Sequence, residues 1–444
     1  MALRRELGTV TAFLIGLGVA IGSGIFRTPS LVSGVISAPW MIVGLWGLGG
    51  LFILCSGLVS AELSTRFPQA GGEYVYLREA YGELPAFFFG WGYTVFIIGG
   101  GAATIAAACG EASAELFGVD QTYARYFGAG ALVAVTGINA IGLKAGAWMQ
   151  NVLTATKILA IVGVSIAAFT WGDSTTDWTA PLVVPEDRTL FATLVLAFPP
   201  VLWAYEGTTD AVKMAEEVDD VHRALPRALI GSALTLTLLY VTINIAYLSV
   251  LAPSEIAASR FAPSDVMAKL FGEVGHKVMT LLSLVVFFGA LSSTILATVR
   301  VTFALARDGL APRGLARMSK SQSPVIALCT AASIALVFTL ARGFSQILSI
   351  YFLAAAVLFG LAYASLLVFR HRDPPGGPPK HVFRAPGGPV IALLLILTQL
   401  AMGAMIVVES PLDSLYTVLL LASLAVVYKV WRRFVPATAR GKVA

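Results

Sequence analysis

The chain has 444 residues, of which 57% are hydrophobic and only 12% are charged. Soluble globular proteins carry about 25% charged residues, so this composition, with a mean hydropathy of +0.82, excludes an ordinary soluble domain and indicates an integral membrane protein. The formal net charge of +5 is not accompanied by a basic stripe with interleaved aromatic residues, which argues against a nucleic-acid-binding protein.

Apolar runs that are long enough to cross a bilayer recur along the whole chain. The hydrocarbon core is about 30 Å thick and a helix rises about 1.5 Å per residue, so about 20 apolar residues form one spanning helix. None of the runs has the strict alternation of barrel strands. We predict an all-α membrane protein with twelve transmembrane helices, at residues 10–35, 40–65, 85–113, 124–143, 149–171, 189–212, 226–251, 278–306, 324–341, 346–369, 389–408 and 412–431.

Lysine and arginine concentrate at one set of helix ends. If the N-terminus lies inside, the inner ends carry most of these residues, including Arg4, Arg5, Arg66 and Arg370. Because cytoplasmic loops are enriched in Lys and Arg, we predict a multi-pass protein of the cytoplasmic membrane with both termini in the cytoplasm. A proline- and glycine-rich linker, 373–379, separates the first ten helices from the last two.

The first and sixth spans are interrupted near their middles. Residues 21–26 have the sequence Ile-Gly-Ser-Gly-Ile-Phe, and two glycines around a serine weaken a helix. The sixth span contains Pro199-Pro200, which lack backbone donors, and then Gly207. Interruptions at corresponding positions of two halves indicate a transporter site between inverted repeats.

The two interruptions offer backbone groups of opposite polarity. A helix that restarts at Gly22-Ser23-Gly24 presents free N–H groups and a positive dipole end, which suit a carboxylate. The end of a half-helix at 203–206 presents free carbonyls, which suit an ammonium group. Together they fit an α-amino acid zwitterion. The alternative explanation for the glycines is close helix packing through small residues.

Four segments, 21–26, 61–76, 215–228 and 307–312, are characteristic of one superfamily. By these segments, in order over residues 8–330, the chain resembles the amino acid–polyamine–organocation superfamily. Within it, the chain is most similar to the L-type amino acid transporter branch.

The resemblance implies a five-plus-five inverted repeat with two extra C-terminal helices and alternating access to a central site. The first repeat would occupy residues 1–172 and the second 173–370, and 371–444 would form the linker, the last two helices and a cytoplasmic tail.

In the superfamily, backbone atoms of the two interrupted helices hold the substrate. The carboxylate would meet Gly22, Ser23 and Gly24, the ammonium would meet carbonyls of the sixth helix, and the ring at Trp203 would cover the occupied site as a gate. The predicted substrate-binding residues are Ile21, Gly22, Ser23, Gly24, Trp203, Ala204 and Glu206.

The chain departs from the superfamily pattern after the sixth-helix interruption. Thr208 stands where tryptophan is frequent, which predicts a wider or more polar pocket. Glu206 stands where glycine or aspartate is frequent. It would be a partner for a cationic substrate, a proton site, or a structural carboxylate that points away from the pocket; the last interpretation is the one we favour.

Lys157 lies in the middle of the fifth span, where an uncompensated lysine costs about 2.5–3.5 kcal/mol on insertion scales. In related transporters such a lysine bridges the first and eighth helices. Lys157 would therefore be either a proton-coupling group or a fixed strap to carbonyls near Ala20 and hydroxyls at Ser292 or Ser293.

Several further residues near the predicted site are charged or aromatic. Glu62, Asp210 and Arg300 fall near the inner ends of their spans, where we expect them to snorkel into the headgroup region; a gate-side ion-pair network is the alternative. The aromatic candidates for lining the site are Tyr93, Phe96, Phe287 and Tyr351.

We predict a secondary active transporter of amino acids, carrying neutral L-amino acids by exchange or proton coupling. The alternative is a carrier of cationic amino acids or polyamines, suggested by Glu206 and Asp210. An intramembrane enzyme is a remote alternative, because the histidines fall in loops or at span ends and no metal-ligand spacing is present. We predict no cofactor and no metal.

Overall fold

The computed structural model describes residues 7–141, 143–173, 176–184, 186, 188–319, 324–375 and 377–434, and for 143–152 and 434 it describes the backbone only. Arg4 and Arg5, which contribute to the predicted topology, lie outside these residues, as does the end of the predicted cytoplasmic tail, 435–444.

Helices account for most of the described chain. In chain order they are α1 (Thr9–Ala20), α2 (Ser23–Ser33), α3 (Pro39–Arg66), α4 (Glu73–Tyr81), α5 (Glu83–Gly92), α6 (Gly100–Phe117), α7 (Ala124–Ile141), α8 (Leu143–Trp171), α9 (Leu190–Tyr205), α10 (Val221–Leu248), α11 (Pro253–Ala258), α12 (Ala262–Arg307), α13 (Val325–Ala341), α14 (Phe344–Arg372), α15 (Gly388–Glu409) and α16 (Pro411–Phe434). A π-helical segment, Tyr93–Gly99, joins α5 to α6, and a 3₁₀ segment, Asp210–Glu217, follows α9.

The prediction of an all-α membrane protein is confirmed. By length and composition, ten helical segments of the described chain can cross a bilayer, and α1 and α2 taken as one bent span would make eleven. Helix α13 coincides with the predicted span 324–341 and is apolar, but it is shorter than the others at 17 residues. The total of twelve stays a prediction.

The predicted interruption of the first span is present. Helix α1 ends at Ala20 and α2 begins at Ser23, and the two are bent by 45° relative to each other. Ile21 between them is extended, with φ −73° and ψ 95°. The chain therefore has a helix C-terminus and a helix N-terminus facing each other at Ile21 and Gly22.

The sixth span is also interrupted, but the interruption does not occur at the prolines. Pro199 and Pro200 lie inside α9, which continues to Tyr205. The helix ends where Glu206 becomes extended and Gly207 adopts a φ of +93°, a conformation that costs glycine little. The positive φ at Gly207, and not the missing proline donors, therefore sets the position of the interruption.

The interrupted helices lie in the interior of the helical bundle. Helix α1 packs against α8, α10 and α12, and α2 packs against α9, α11 and α12. The last two helices lie on the outside, with α15 against α14 and α3, and α16 against α14 and α5. This arrangement surrounds the two interruptions with protein, as bare backbone at membrane depth requires.

Candidate functional site

The two interruptions lie side by side because glycines allow their backbones to approach closely. A Cβ atom added to Gly24 would lie only 2.3 Å from the Cα atom of Ala204. A Cβ atom added to Gly207 would lie 2.4 Å from Cγ1 of Val19. Both explanations therefore apply to Gly24. This glycine lies at the helix interruption, and it also allows the two spans to pack closely.

A cavity of about 450 Å³ lies where the two interrupted spans meet. Five of the seven predicted substrate-binding residues line it: Gly22, Ser23, Gly24, Trp203 and Glu206. The cavity lining does not include Ile21 or Ala204, which are both fully buried. The Ile21 side chain packs in the hydrophobic core, and Ala204 is covered by Gly24.

The start of α2 faces this cavity with unpaired backbone donors. Helix α2 begins at Ser23, and Gly22 before it provides no side-chain cap. The first N–H groups of a helix have no acceptors within the helix, and the N-terminal end carries a partial positive charge. This end of the cavity can therefore bind a carboxylate without any charged side chain.

The end of α9 provides carbonyl groups at the same cavity. The Trp203 carbonyl accepts a bond from the Glu206 N–H group at 3.3 Å, and the Tyr205 carbonyl accepts one from Thr208 N–H at 3.3 Å. A carbonyl oxygen has two lone pairs, so the Trp203 carbonyl retains capacity for a further donor. The two spans thus present a donor end and an acceptor end to one volume.

The ring of Trp203 connects the two interruptions across the cavity. Its Nε1–H group donates to the Ser23 hydroxyl at 3.4 Å. The ring also packs edge-on against Tyr351 of α14, with centroids 5.1 Å apart. The predicted gate residue therefore contacts both α2 and α14.

Two of the four aromatic candidates line the cavity and two do not. Tyr93 and Tyr351 are lining residues. Phe96 instead packs in a separate hydrophobic cluster, and Phe287 packs edge-on against Phe26 at 5.6 Å. Because the segment that begins at Tyr93 is π-helical, its side chains are spaced differently around the third span from those of an α-helix, and Tyr93 and Phe96 face different surroundings.

The sequence analysis missed polar lining residues on α12. Thr294 and Thr298 line the cavity, and the Thr298 hydroxyl donates to the Thr294 carbonyl at 2.6 Å. No break or unusual charge marks these residues in the sequence. Only their one-turn spacing within a long apolar span provides a signal for them.

Glu206 lines the cavity, so the favoured interpretation of a carboxylate that points away was wrong. Its carboxyl group lies within side-chain hydrogen-bonding reach of the Tyr351 hydroxyl. Asp210 lines the cavity as well, but it forms an ion pair with the buried Lys213. Of the two carboxylates, only Asp210 is therefore neutralised by this lysine.

Lys157 is fully buried and contacts the first interrupted span. Its Nζ atom donates to the Gly18 carbonyl at 2.6 Å, which fulfils the expectation of a bond to a carbonyl near Ala20. Its side chain also lies against Gly289 of α12, where an added Cβ would be 3.3 Å from Cε. The Ser292 hydroxyl instead donates to Asn139 at 2.9 Å.

Charges near the inner ends of the spans form ion pairs and do not snorkel. Glu62 is fully buried and accepts bonds from Arg66 at 2.8 Å and from Arg370 at 2.6 Å. Arg300 pairs with Glu217 at 2.8 Å. The expectation of snorkelling was wrong because these residues project into the bundle, where opposite charges from other elements meet them.

Comparison with known proteins places the chain in a family. The family model described as amino acid permease matches residues 7–428. The chain is 30% identical to the serine/threonine exchanger SteT of Bacillus subtilis (strain 168), over 97% of this chain and 98% of that protein. It is 27% identical to the human b(0,+)-type amino acid transporter 1, over 95% of this chain and 87% of that protein.

These matches cover nearly the whole chain and agree with a central cavity between two interrupted spans. They identify a membrane transporter and not an enzyme. The chain belongs to the amino acid permease family of the amino acid–polyamine–organocation superfamily.

Proposed function

We propose that this protein moves neutral L-amino acids across the cytoplasmic membrane as a secondary active transporter, by exchange or by proton coupling. The observation that carries the proposal is the pairing of the uncapped start of α2 with the end of α9 around one cavity. The carboxylate of a zwitterion would bind at the start of α2 and its ammonium group at the end of α9, and the zwitterion would add no net charge to the cavity. The similarity to a serine/threonine exchanger supports small neutral substrates.

The proposed architecture is a five-plus-five inverted repeat of twelve spans, with residues 1–172 and 173–370 as the repeats and 371–444 as the linker, two extra helices and tail. Its support is the presence of one interruption in the first span and one in the sixth. Both termini would lie in the cytoplasm, since the basic helix ends are on that side under the positive-inside rule.

In the proposed complex, the N–H groups at Gly22, Ser23 and Gly24 bind the substrate carboxylate. Carbonyls at the end of α9, from Trp203 and Glu206, bind the ammonium group. Ile21 and Ala204, which lie outside the cavity lining, would support the two interruptions without contacting the substrate. The Trp203 ring covers the occupied site. The bond from Trp203 to Ser23 supports this role, because closing over the substrate would link the two spans that bind it.

We assign Lys157 the role of a strap. Its ammonium group bonds the Gly18 carbonyl, two residues before the end of α1, and its stem lies on α12. A buried polar group with a partner stabilises one arrangement of the elements it joins. Lys157 would therefore hold the first half-helix in the position that opens the substrate cavity.

A second candidate function is the transport of cationic amino acids or polyamines. The observation that favours it is Glu206, a carboxylate that lines the cavity and is not the partner of the Lys213 ammonium group in the ion pair. A side-chain ammonium or guanidinium group on the substrate would neutralise it.

A competition experiment separates the two candidates. The purified full chain is reconstituted into proteoliposomes loaded with unlabelled serine, and the entry of radiolabelled serine is measured against a panel of amino acids and putrescine. Inhibition by serine, threonine and alanine supports the neutral proposal. If serine does not enter, but arginine-loaded proteoliposomes take up radiolabelled arginine and putrescine inhibits that uptake, the cationic candidate replaces the neutral one. A Glu206→Gln variant should then lose arginine uptake.

A further inference from the structure

A second cavity, of about 590 Å³, adjoins the substrate cavity. It lies between α3, α4, α9, α14 and α15, and Glu206 lines both cavities. Its other polar lining residues include Ser56, Ser60, Glu73, Tyr76, Tyr363 and Gln399. The second cavity therefore has one carboxyl group, Glu206, at its junction with the substrate cavity and another, Glu73, on α4.

Three polar atoms in the second cavity make no hydrogen bond of ordinary geometry. They are Oε2 of Glu73, Oε1 of Gln399 and the Tyr76 hydroxyl, although the side chains of Tyr76 and Gln399 lie near those of Ser64 and Tyr363, respectively. Glu73, Gln399 and Tyr76 are only 6%, 3% and 1% exposed, respectively. An unpaired buried polar group is destabilising, and two of these three atoms can only accept a bond unless Glu73 is protonated.

The charges around the two cavities do not balance. Glu73, Glu206 and Asp210 are the acidic residues that line them, and the neighbouring Lys213 is buried and paired with Asp210. The Lys213 ammonium group also lies 5.0 Å from the centre of the Tyr93 ring. With all three acids ionised, three negative charges would face one positive charge, which leaves two in excess.

The remaining titratable groups that face these acids are tyrosines. They are Tyr76 on α4, Tyr93 on the π-helical segment, and Tyr351 and Tyr363 on α14. At neutral pH a tyrosine hydroxyl carries no positive charge and cannot neutralise a carboxylate. The described residues that line the two cavities include no lysine or arginine that could neutralise the two excess negative charges.

We propose that Glu73 and Glu206 are a proton-carrying pair, which moves one proton through the second cavity with each amino acid taken up. A proton from the outer solution bonds to a Glu206 oxygen in the substrate cavity. That O–H bond breaks as one forms at Glu73, by way of the hydroxyl groups of the second cavity, and Glu73 then releases the proton to water on the cytoplasmic side. No redox partner is involved.

The inference rests on the proposed transport function and assigns its coupling ion. Acidic side chains buried within a membrane bundle mark proton relays in pumps and transporters. When it is protonated, the Glu73 carboxyl group can donate a hydrogen bond to one of the acceptor atoms in the second cavity.

The test compares two modes of transport in proteoliposomes that contain the full chain. Counterflow of radiolabelled serine at equal pH measures exchange without net proton movement. Uptake into empty vesicles with an alkaline interior measures proton-driven accumulation, which for one proton reaches about tenfold per pH unit. Wild-type protein is expected to show both, and serine addition is expected to make the external solution more alkaline.

The Glu73→Gln variant keeps the size of the side chain and cannot carry the proton. It is expected to retain counterflow but to lose accumulation, so that the internal serine concentration rises only to the external concentration. Glu73→Asp should restore accumulation in part. Glu79→Gln, on the same helix but outside the cavity lining, serves as the matched control and should behave as wild type.

Three results would overturn the inference. The first is a Glu73→Gln variant that accumulates serine as wild type does. The second is a wild-type protein that exchanges serine but shows neither accumulation nor external alkalinisation under a pH gradient. The third is accumulation of serine by wild type under a sodium or potassium gradient in place of the pH gradient. The second and third are measured on wild type and do not depend on how the variant folds. Absence of counterflow in wild type would instead contradict the proposed function itself.

Discussion

The Trp203 indole donates a hydrogen bond to the Ser23 hydroxyl at 3.4 Å and thereby links the two interrupted spans of the bundle. Ser23 is the first residue of α2 and Trp203 lies in the last turn of α9. A substrate held by the start of one helix and the end of the other would sit beside this bond. In the proposed covering role, the indole would therefore also make a polar contact that depends on the relative position of both spans.

Replacement of Trp203 should weaken substrate binding in two stages. Trp203→Phe keeps an aromatic cover but loses the donor, worth about 0.5–1.5 kcal/mol, and should raise the half-saturation concentration up to about tenfold. Trp203→Ala should raise it further. Concentration dependence of counterflow measures both. Equal values for wild type and Trp203→Ala would contradict a covering role.

Gly24→Ala should abolish transport and lower thermal stability. The added Cβ would meet the Cα atom of Ala204 at 2.3 Å, which is backbone that cannot rotate away. Overpacking of this kind costs about 1–3 kcal/mol. Gly44→Ala on α3 is the matched control, because nothing lies within 4 Å of its added Cβ. Thermal unfolding in detergent and counterflow should both separate the two variants; a Gly24→Ala protein with normal exchange would refute the close approach.

Lys157→Met should reduce exchange and proton-driven uptake in the same proportion. A strap to the Gly18 carbonyl supports the cavity in both modes, so its loss would leave their ratio unchanged. Both assays are run on one preparation to compare the ratio with that of wild type. If the variant exchanged normally but no longer accumulated substrate under a pH gradient, Lys157 would be a coupling group and the strap assignment would fall.

Removal of Arg370 should destabilise the protein strongly. Arg370 donates to the fully buried Glu62 at 2.6 Å, and the other partner of Glu62, Arg66, is shared with Asp373. Without Arg370, two carboxylates would share one guanidinium group, and an uncompensated buried charge costs up to about 3–5 kcal/mol. Arg223→Met is the control, since Arg223 and Asp220 form an exposed pair at 3.9 Å, a class worth about 0–1 kcal/mol. Denaturant unfolding of Arg370→Met and Arg223→Met should therefore differ clearly, and equal midpoints would contradict the prediction.

The linker should lose stabilising contact at acidic pH. Hydrogen bonds from Arg66, at 2.6 and 2.8 Å, hold the pKa of Asp373 below its usual value. A carboxyl group whose pKa is lowered by folding stabilises the fold above its unfolded pKa of about 3.9 and loses this contribution as the pH falls. Asp373→Asn should remove that part of the acid sensitivity. Unfolding midpoints between pH 6 and 3 measure it, and identical pH profiles for both proteins would count against the ion pair.

The sequence by itself determined the all-helical membrane class, the positions of most spans and the two interruptions. Long apolar runs can satisfy their backbone in lipid only as helices, and Gly22, Gly24 and Gly207 indicate the interruptions because glycine weakens a helix wherever it occurs. The short segments around them also sufficed to identify the superfamily. These properties depend on residues that are close together in the sequence, so they can be predicted from the sequence alone.

The tertiary structure decided which side chains share a space. Glu206 points into the cavity, Glu62 meets Arg370 from a distant helix, and Glu73 joins the second cavity through α4, none of which follows from spacing along the chain. The partner of a buried charge is set by how remote elements pack, and a π-helical segment or an extended residue rotates everything that follows it. For this reason the sequence predicts where the two ends of a substrate would bind, whereas the surroundings of the substrate's side chain depend on the fold.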